Sequence, residues 1–344
     1  MATADTRADE RVRRVGLASI LLSRPEIGAI VGAILVFVVF AIWAGDSGFL
    51  TWAGTATYLE VAAQVGIVAS AVALLMIAGE FDLSVGSVVG AAGMVVAIGI
   101  GVIGLPVWLA VILAFAFALG IGFFNGYLVV KTRLPSFIVT LGTLFILRGL
   151  TIGITRALTG RTQIGGLAAA TENDPIATIF TASIGPFPIS ILWWIGLALL
   201  ATFILLRTSF GNWIFGVGGS AIAARNVGVP VNRVKIILFM ATAASAALLA
   251  VIQVLDVGSG DVLRGSDKEF EAIITAVIGG TLLTGGYGSA IGAVFGALTL
   301  GMTSQGIVFA GIPGDWYQAF LGVLLLAAVI VNNYIRQRAT MTRH

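Results

Sequence analysis

Cysteine is absent from this chain, and histidine occurs once, as the terminal residue His344. A chain without cysteine cannot form disulfides, cysteine–metal sites or thiol nucleophiles. A single terminal histidine also argues against histidine acid–base chemistry and histidine-ligated metal. The sequence has no G-x-x-x-x-G-K-[ST] phosphate loop with which to bind ATP. We therefore expect no catalytic residues, no metal site and no bound cofactor.

Charged side chains are also scarce. They make up 10% of the 344 residues, whereas soluble domains carry roughly 25%. Hydrophobic residues make up 58% and the mean hydropathy is +1.06, so there is too little polar surface to cover a soluble globule. The net charge of +3 comes from basic residues in a few loops and tails. This pattern is typical of topology signals in a lipid bilayer and not of nucleic-acid binding.

Uncharged runs of about 20 residues, tested against loop charge, predict an all-α polytopic membrane protein of about ten transmembrane helices. The predicted spans are 27–45, 59–79, two helices within 83–130 with a turn at 104–106, 135–154, 187–206, 236–255, a short and a full span within 272–314, and 316–335. The tails 1–26 and 336–344 and the basic loop 207–235 are predicted to be cytoplasmic. Residues 27–335 then form one membrane domain.

The stretch 77–92 places two carboxylates, Glu80 and Asp82, between uncharged runs. Three interpretations remain open for them: they line a pathway, they cap a helix that begins near Leu83, or they lie at the inner water interface. Capping is favoured by the helix dipole, and the Asp82 side chain can accept from the amide of Ser84 or Val85.

Glycines near these carboxylates allow the chain to bend or to pack closely. We therefore expect an interrupted helix near 79–90. The sequence at 86–91 has a weak echo at 288–293, and transporters often carry interrupted helices in corresponding positions of two repeats. A second interruption is expected near 279–292.

Polar side chains within the predicted spans are candidates for a substrate pathway. Together with the two carboxylates they are Glu80, Asp82, Asn125, Thr140, Arg148, Gln253 and Gln305. The uncharged ones suit a neutral polyol, which needs hydrogen bonds and no counter-charge, but hydrogen bonds between helices explain them equally well. For Arg148 a structural salt bridge is the alternative to substrate contact. Two other classes stay open: an ion-coupled transporter that uses Glu80, Asp82 and Arg148 as a proton relay, and an intramembrane enzyme.

The basic loop contains a segment that predicts a short, rigid helix. Ser220 can cap a helix over Ala221–Asn226, because its hydroxyl can accept from an unpaired amide of the first turn. Gly228 and Pro230 should then end it. Such an element is typical of a docking site for a cytoplasmic partner, although an ordinary loop is the alternative.

Four stretches, in order along the chain, resemble the permease subunit of ATP-binding-cassette (ABC) importers for monosaccharides, the class that serves ribose, xylose, arabinose and galactose. They are GEFDLSVGS (79–87), NGYLVVKTRLPSFIVTLGTLFILRGL (125–150), GSAIAARNVGVPVNRVK (219–235) and AVIGGTLLTGGYGSAIGAVFGALTLG (276–301). Three positions depart from the usual motif: Glu80 and Phe81 replace Gly and Ile, and Ser136 replaces a second Pro.

The resemblance implies a bacterial inner-membrane permease that imports a monosaccharide or related polyol and works as a homodimer. ATP would be bound by a cytoplasmic ATPase subunit, and an extracytoplasmic sugar-binding protein would deliver substrate to the outer loops 155–186 and 256–271. The resemblance also implies which residues contact the ATPase. They are Ala221, Ala223, Ala224, Arg225, Gly228 and Val229.

Overall fold

The computed structural model describes the backbone of residues 25–341 and the side chains of residues 26–330. Within these residues, eight helices are long and apolar enough to cross a membrane. The helices are α1 (Pro25–Ala44), α2 (Trp52–Ile77), α3 (Val85–Ile98), α4 (Val107–Thr132), α5 (Ser136–Thr159), α6 (Ala168–Thr171), α7 (Pro175–Thr181), α8 (Ser190–Arg207), α9 (Ser209–Gly219), α10 (Ala221–Asn226), α11 (Val231–Val257), α12 (Lys268–Ile278), α13 (Ala290–Phe309) and α14 (Tyr317–Met341). The expected all-α multi-pass membrane architecture is confirmed. The predicted tail 1–26 lies almost wholly outside the described residues, whereas residues 336–341 of the predicted tail 336–344 continue α14.

The long helices start and end at different residues from the predicted spans. Helix α2 begins at Trp52, before the predicted residue 59, and contains Glu60. Its N-terminus is capped by Thr51, whose hydroxyl accepts from the amide of Gly54 at 3.0 Å. Helix α11 likewise contains Lys235 and extends beyond both predicted ends. The charge-free run therefore underestimates α11, whereas α2 ends at Ile77 and α8 begins at Ser190, both inside their predicted spans.

Helices α2, α3 and α11 form the centre of the bundle and are mostly buried, whereas α1, α4, α5 and α8 are mostly exposed. All of these helices are apolar, so their composition does not tell which of them lie inside the protein and which face the lipid. The buried share of each helix makes that distinction. Helix α11 packs along α4, α3 and α2, and α2 also packs against α13, α8 and α12.

Two short antiparallel sheets lie in the connecting segments. Strand β1 (Gln163–Ile164) pairs with β4 (Gly260–Asp261), with Gln163 opposite Asp261. Strand β2 (Ser183–Ile184) pairs with β3 (Phe187–Pro188). The β1–β4 pair joins the two segments that were predicted as separate outer loops.

Both expected interruptions are present, at shifted positions. The first break covers 78–84 and ends six residues before the predicted end at residue 90, because Gly86 and Gly90 lie inside α3. A Cβ at Gly86 would lie 1.9 Å from Oε2 of Glu269, so this glycine permits close packing of α12 and does not bend the chain. The second break covers 279–289, between α12 and α13. Helix α12 has 11 residues and spans about 17 Å, too short for a hydrocarbon core of about 30 Å.

Candidate functional site

The backbone of the first break is held by hydroxyl groups of α5. The amide of Phe81 donates to Oγ of Ser136 at 3.0 Å, and the amide of Leu83 donates to Oγ1 of Thr140 at 3.0 Å. Unpaired backbone amides are costly inside a bilayer, and irregular chain occurs there only where protein satisfies it. Thr140 therefore supports the break. Ser136, which departs from the family motif, has the same role.

Asp82 is the centre of this region and is 1% exposed. Its Oδ1 accepts from the amide of Ser84 at 2.9 Å and from the hydroxyl of Ser84 at 2.6 Å. Its Oδ2 accepts from the hydroxyl of Thr242 on α11 at 2.8 Å. The bond to the Ser84 amide was expected, but α3 begins only at Val85, so Asp82 closes the turn before the helix and does not accept from an amide of its first turn. In this conformation the carboxylate is shielded from any aqueous pathway.

The hydrogen bonds continue from Asp82 to two further helices. The Ser84 hydroxyl accepts from Nδ2 of Asn125 on α4 at 2.9 Å, and Oδ1 of Asn125 accepts from the hydroxyl of Thr143 on α5 at 2.7 Å. The Asn125 side chain is fully buried. We refer to Thr242, Asp82, Ser84, Asn125 and Thr143 as the polar network. It fixes the first break against α11, α4 and α5.

The remaining predicted charges form two separate ion pairs. Glu80 is paired with Lys235, at the start of α11. Nη2 of Arg148 lies 3.4 Å from Oε1 of Glu269 on α12, and Glu269 is 2% exposed. The structural salt bridge considered for Arg148 is thus present. Glu80, Asp82 and Arg148 have three different sets of partners and do not form a relay.

The two breaks meet through backbone atoms. The amide of Gly286 donates to the carbonyl of Ile77 at 2.8 Å. Gly218, in the last turn of α9, lies against this bond: a Cβ there would be 1.8 Å from the Ile77 oxygen and 2.5 Å from the Gly286 nitrogen. A Cβ at Gly285 would lie 2.7 Å from Cα of Gly79. We refer to Ile77, Gly79, Gly218, Gly285 and Gly286 as the glycine junction. It brings the end of α9 into direct contact with both breaks.

Helix α10 follows the glycine junction and has the predicted bounds. Oγ of Ser220 accepts from the amide of Ala223 at 3.2 Å. The helix ends at Asn226, and Gly228 has a φ of +88°, a conformation that favours glycine. Arg225 donates to Oδ1 of Asn232 at 3.2 Å, which ties α10 to the start of α11.

The surface of α10 contains exposed apolar side chains. Ile222 is 78% exposed and Val227 is 81% exposed. Of the six predicted ATPase contacts, Ala223, Arg225 and Gly228 are exposed, Ala221 and Val229 are half-buried, and Ala224 is buried. Ala224 packs into the apolar cluster between α9 and α11, so it holds α10 in place and is not available on the surface of this chain. Ile222 and Val227 lie within the segment 221–229 but are not among the six predicted contacts.

A polar cavity of about 210 Å³ lies at the opposite end of α11. Gln253, which lines the cavity, and Lys235, near the other end of α11, are about 27 Å apart along the helix axis, at a rise of 1.5 Å per residue. The lining includes Glu60, Gln64, Phe180, Ser190, Gln253, Asp256 and Arg264. Nε2 of Gln253 donates to Oε1 of Gln64 at 2.9 Å. Among these residues only Gln253 was named as a pathway candidate from the sequence; the i, i+4 spacing of Glu60 and Gln64 within α2 is a signal that could have found those two.

The loop beside this cavity is fixed by a half-buried arginine. Nη1 of Arg264 donates to the carbonyl of Gln253 at 3.1 Å and to that of Ser259, and Nη2 donates to Oγ of Ser259 at 3.1 Å. Burial lowers the pKa of the Arg264 guanidinium, and the nearby Asp261 carboxylate opposes this shift. The arginine holds the end of α11 in place.

Residues 54–329 match the protein-family model described as "Branched-chain amino acid transport system / permease component". The chain belongs to this permease family. Among curated proteins of Escherichia coli (strain K12), the xylose transport system permease protein XylH is 31% identical, over 94% of this chain and 95% of its own length. The ribose import permease protein RbsC is 32% identical, over 78% and 81%. The probable ABC transporter permease protein YphD is 32% identical, over 92% of each. No solved structure matches the chain.

In this permease the predicted pathway residues do not form one site. Asp82, Asn125 and Thr140 support the first break, while Glu80 and Arg148 form ion pairs. Gln253 lines the cavity at the other end of α11. Gln305 is half-buried on α13, next to Gly306, which packs on Phe40 of α1. The polar groups considered as either pathway or helix–helix contacts are mostly helix–helix contacts in this conformation.

Proposed function

We propose that this chain is the pore-forming permease subunit of an ATP-driven importer that carries a monosaccharide or related polyol across the bacterial inner membrane. The observation that carries the proposal is α10, a capped helix with exposed apolar side chains that is joined through the glycine junction to both helix breaks. A surface of this kind suits a partner subunit, because exposed apolar patches mark interaction sites. The names of the xylose and ribose relatives support the sugar class.

The topology that goes with this function has ten membrane helices and both termini in the cytoplasm. Eight helices have the length of a span, α14 supplies another, and α12 reaches only part of the way. The basic segment 207–235 then lies in the cytoplasm, as the positive-inside rule expects. The cavity beside Gln253 lies at the outer end.

The partners follow from this orientation. A cytoplasmic ABC ATPase binds α10 through Ile222, Val227 and Arg225. An extracytoplasmic sugar-binding protein docks on the outer segments joined by β1 and β4. Two copies of the chain form the translocation unit, and the chain itself has no catalytic role.

Movement of α10 would reach the membrane part by two routes. One is the glycine junction, where Gly218 contacts the end of α2 and the second break. The other is the Lys235–Glu80 ion pair, which joins the segment after α10 to the first break. Both routes end at the breaks, where a change of backbone conformation can open a passage.

Reconstitution in liposomes with the ATPase and the sugar-binding protein tests the proposal. We expect sugar to stimulate ATP hydrolysis, and we expect this stimulation to be lost when 221–229 is replaced by a Gly-Ser linker of equal length. The matched control replaces the exposed segment 131–134, at the turn between α4 and α5, with the same type of linker; sugar should still stimulate its ATP hydrolysis. Stimulation that survives the loss of α10 would contradict the docking role. Labelling of Arg225→Cys from outside intact cells would contradict the orientation.

The ion-coupled alternative requires Glu80, Asp82 and Arg148 to exchange protons. Their three separate sets of partners give it no support. It predicts uptake by this chain alone, driven by a pH gradient, so the absence of uptake without the ATPase would exclude it.

A further inference from the structure

The lining of the cavity includes three side chains with hydrogen-bond acceptors that can face a ligand. Glu60 and Asp256 contribute carboxylates, and Gln253 contributes a carbonyl oxygen. Arg264 is the cation of the lining, and it already donates to the carbonyls of Gln253 and Ser259. The carboxylates of Glu60 and Asp256 and the amide oxygen of Gln253 can therefore accept hydrogen bonds from a ligand.

Two buried polar atoms of the lining have no hydrogen-bond partner among the described residues. They are Oε1 of Gln253 and Oγ of Ser190, in residues that are 8% and 3% exposed. The Gln253 amide is held in a fixed orientation, because its Nε2 donates to Gln64. Buried polar atoms nearly always have a partner, so such atoms in the wall of a cavity point to a ligand that would complete them.

We propose that this cavity binds one neutral sugar molecule, whose hydroxyl groups donate to Glu60, Asp256 and Oε1 of Gln253. The inference rests on the proposed sugar-import function and assigns a binding site within the permease itself. The volume of about 210 Å³ is below the roughly 300–1,000 Å³ of drug-sized ligand sites, which suits a small ligand. Phe180, stacked on Trp193 with ring centroids 5.5 Å apart, forms an apolar wall for the carbon face of a sugar ring.

The same lining discriminates against charged ligands. A sugar phosphate or the carboxylate of an amino acid would face Glu60 and Asp256, while Arg264 is engaged with the loop. Desolvated like charges repel strongly, so anions should be excluded. The carboxylates would attract a cationic ligand. A labelling assay distinguishes the two cases, because it compares D-glucosamine with neutral sugars.

The absence of cysteine in the chain makes thiol protection a clean assay. Thr181→Cys places the permease's single thiol in the half-buried lining of the cavity. Ser47→Cys is the matched control, because Ser47 is exposed at the same end of the bundle, in the turn after α1. The full chain, in complex with the ATPase and without the binding protein, is treated with a methanethiosulfonate reagent, and labelling is read on the permease band.

We expect D-xylose, D-ribose or D-galactose to slow labelling at Thr181→Cys and to leave Ser47→Cys unaffected. A sugar at ten times its dissociation constant should slow labelling about tenfold, whereas D-ribose 5-phosphate should give no protection. Gln253→Leu and, as a shape-preserving second variant, Glu60→Gln should each raise the protecting concentration about tenfold through loss of one hydrogen-bond acceptor.

The outcomes separate this site from the proposed function. If a sugar stimulates ATP hydrolysis in the full system but does not protect Thr181→Cys, the cavity is not the site and the function stands. Equal protection by D-ribose 5-phosphate, or protection by D-glucosamine alone, also overturns the inference. If no monosaccharide stimulates ATP hydrolysis, the proposed function fails and the cavity assignment fails with it.

Discussion

Gly218 is the position where one added methyl group should have the largest effect on the link between α10 and the breaks. In Gly218→Ala the new Cβ would lie 1.8 Å from the carbonyl oxygen of Ile77, whereas ordinary contact begins near 3.4 Å. The partners are backbone atoms, so no rotamer change relieves the clash. Helix α9 must move away by about 1.6 Å, or the bond between Gly286 and Ile77 must break. Overpacking of this kind costs about 1–3 kcal/mol.

Gly219→Ala provides a matched control. Gly219 is the next residue in the same helical turn, and within the described part of the chain nothing lies within 4 Å of a Cβ placed there. Both substitutions change helix propensity by a similar amount, up to about 1 kcal/mol in favour of alanine. The difference between the two variants therefore isolates the clash at the glycine junction.

Thermal unfolding in detergent, followed by the fluorescence of the seven tryptophans, measures this difference. At about 2–4 °C per kcal/mol, Gly218→Ala should unfold several degrees below Gly219→Ala. Reconstituted with its partners, Gly218→Ala should also lose sugar-stimulated ATP hydrolysis, while Gly219→Ala retains it. Equal unfolding midpoints and equal coupling for the two variants would refute the role assigned to the glycine junction.

Three further predictions concern the carboxylates and α10. Asp82→Ala should destabilise the protein by about 2–4 kcal/mol, because it leaves buried donors unpaired, and Asp82→Asn should destabilise it less. Thermal unfolding midpoints measure both effects, and equal midpoints for the two variants would contradict the role of the polar network. Lys235→Met should lower the free energy of unfolding by about 3 kcal/mol because Glu80 stays buried without its partner, and adding Glu80→Gln should restore part of that stability. A double-mutant cycle that shows no coupling between the two positions would contradict the ion pair. Ile222→Asp should abolish co-purification with the ATPase while changing stability by less than about 0.5 kcal/mol, whereas Ile184→Asp, at the opposite end, should leave co-purification unchanged.

Features set by neighbouring residues were predictable from the sequence. The bounds of α10 follow from the Ser220 cap and from Gly228, both within a few residues of the helix. The turn at 104–106 and the first break were also expected, because glycine, proline and charge interrupt apolar runs there. The bond between Asp82 and the amide of Ser84 was also expected, because the two residues are two positions apart.

Features set by contacts between distant helices were not predictable. The pairing of Glu80 with Lys235 and the contact of Gly218 with Ile77 join segments with no shared sequence pattern. In a chain with 45 glycines, small residues do not identify which helices touch. Glu60 was placed near a span end by the charge rule, whereas the structure shows it inside α2 and facing a cavity.

The bond between Asp82 and Thr242 joins residues 160 positions apart, and this separation matters during synthesis. A ribosome that adds roughly 5–20 residues per second takes about 8–32 s to make the intervening chain. During that time Asp82 has already been synthesised, but Thr242, which donates to it in the folded protein, has not. It must stay near water or near the insertion machinery until α11 arrives. Assembly of the inner helices therefore has to be completed late, after much of the outer ring has already entered the lipid.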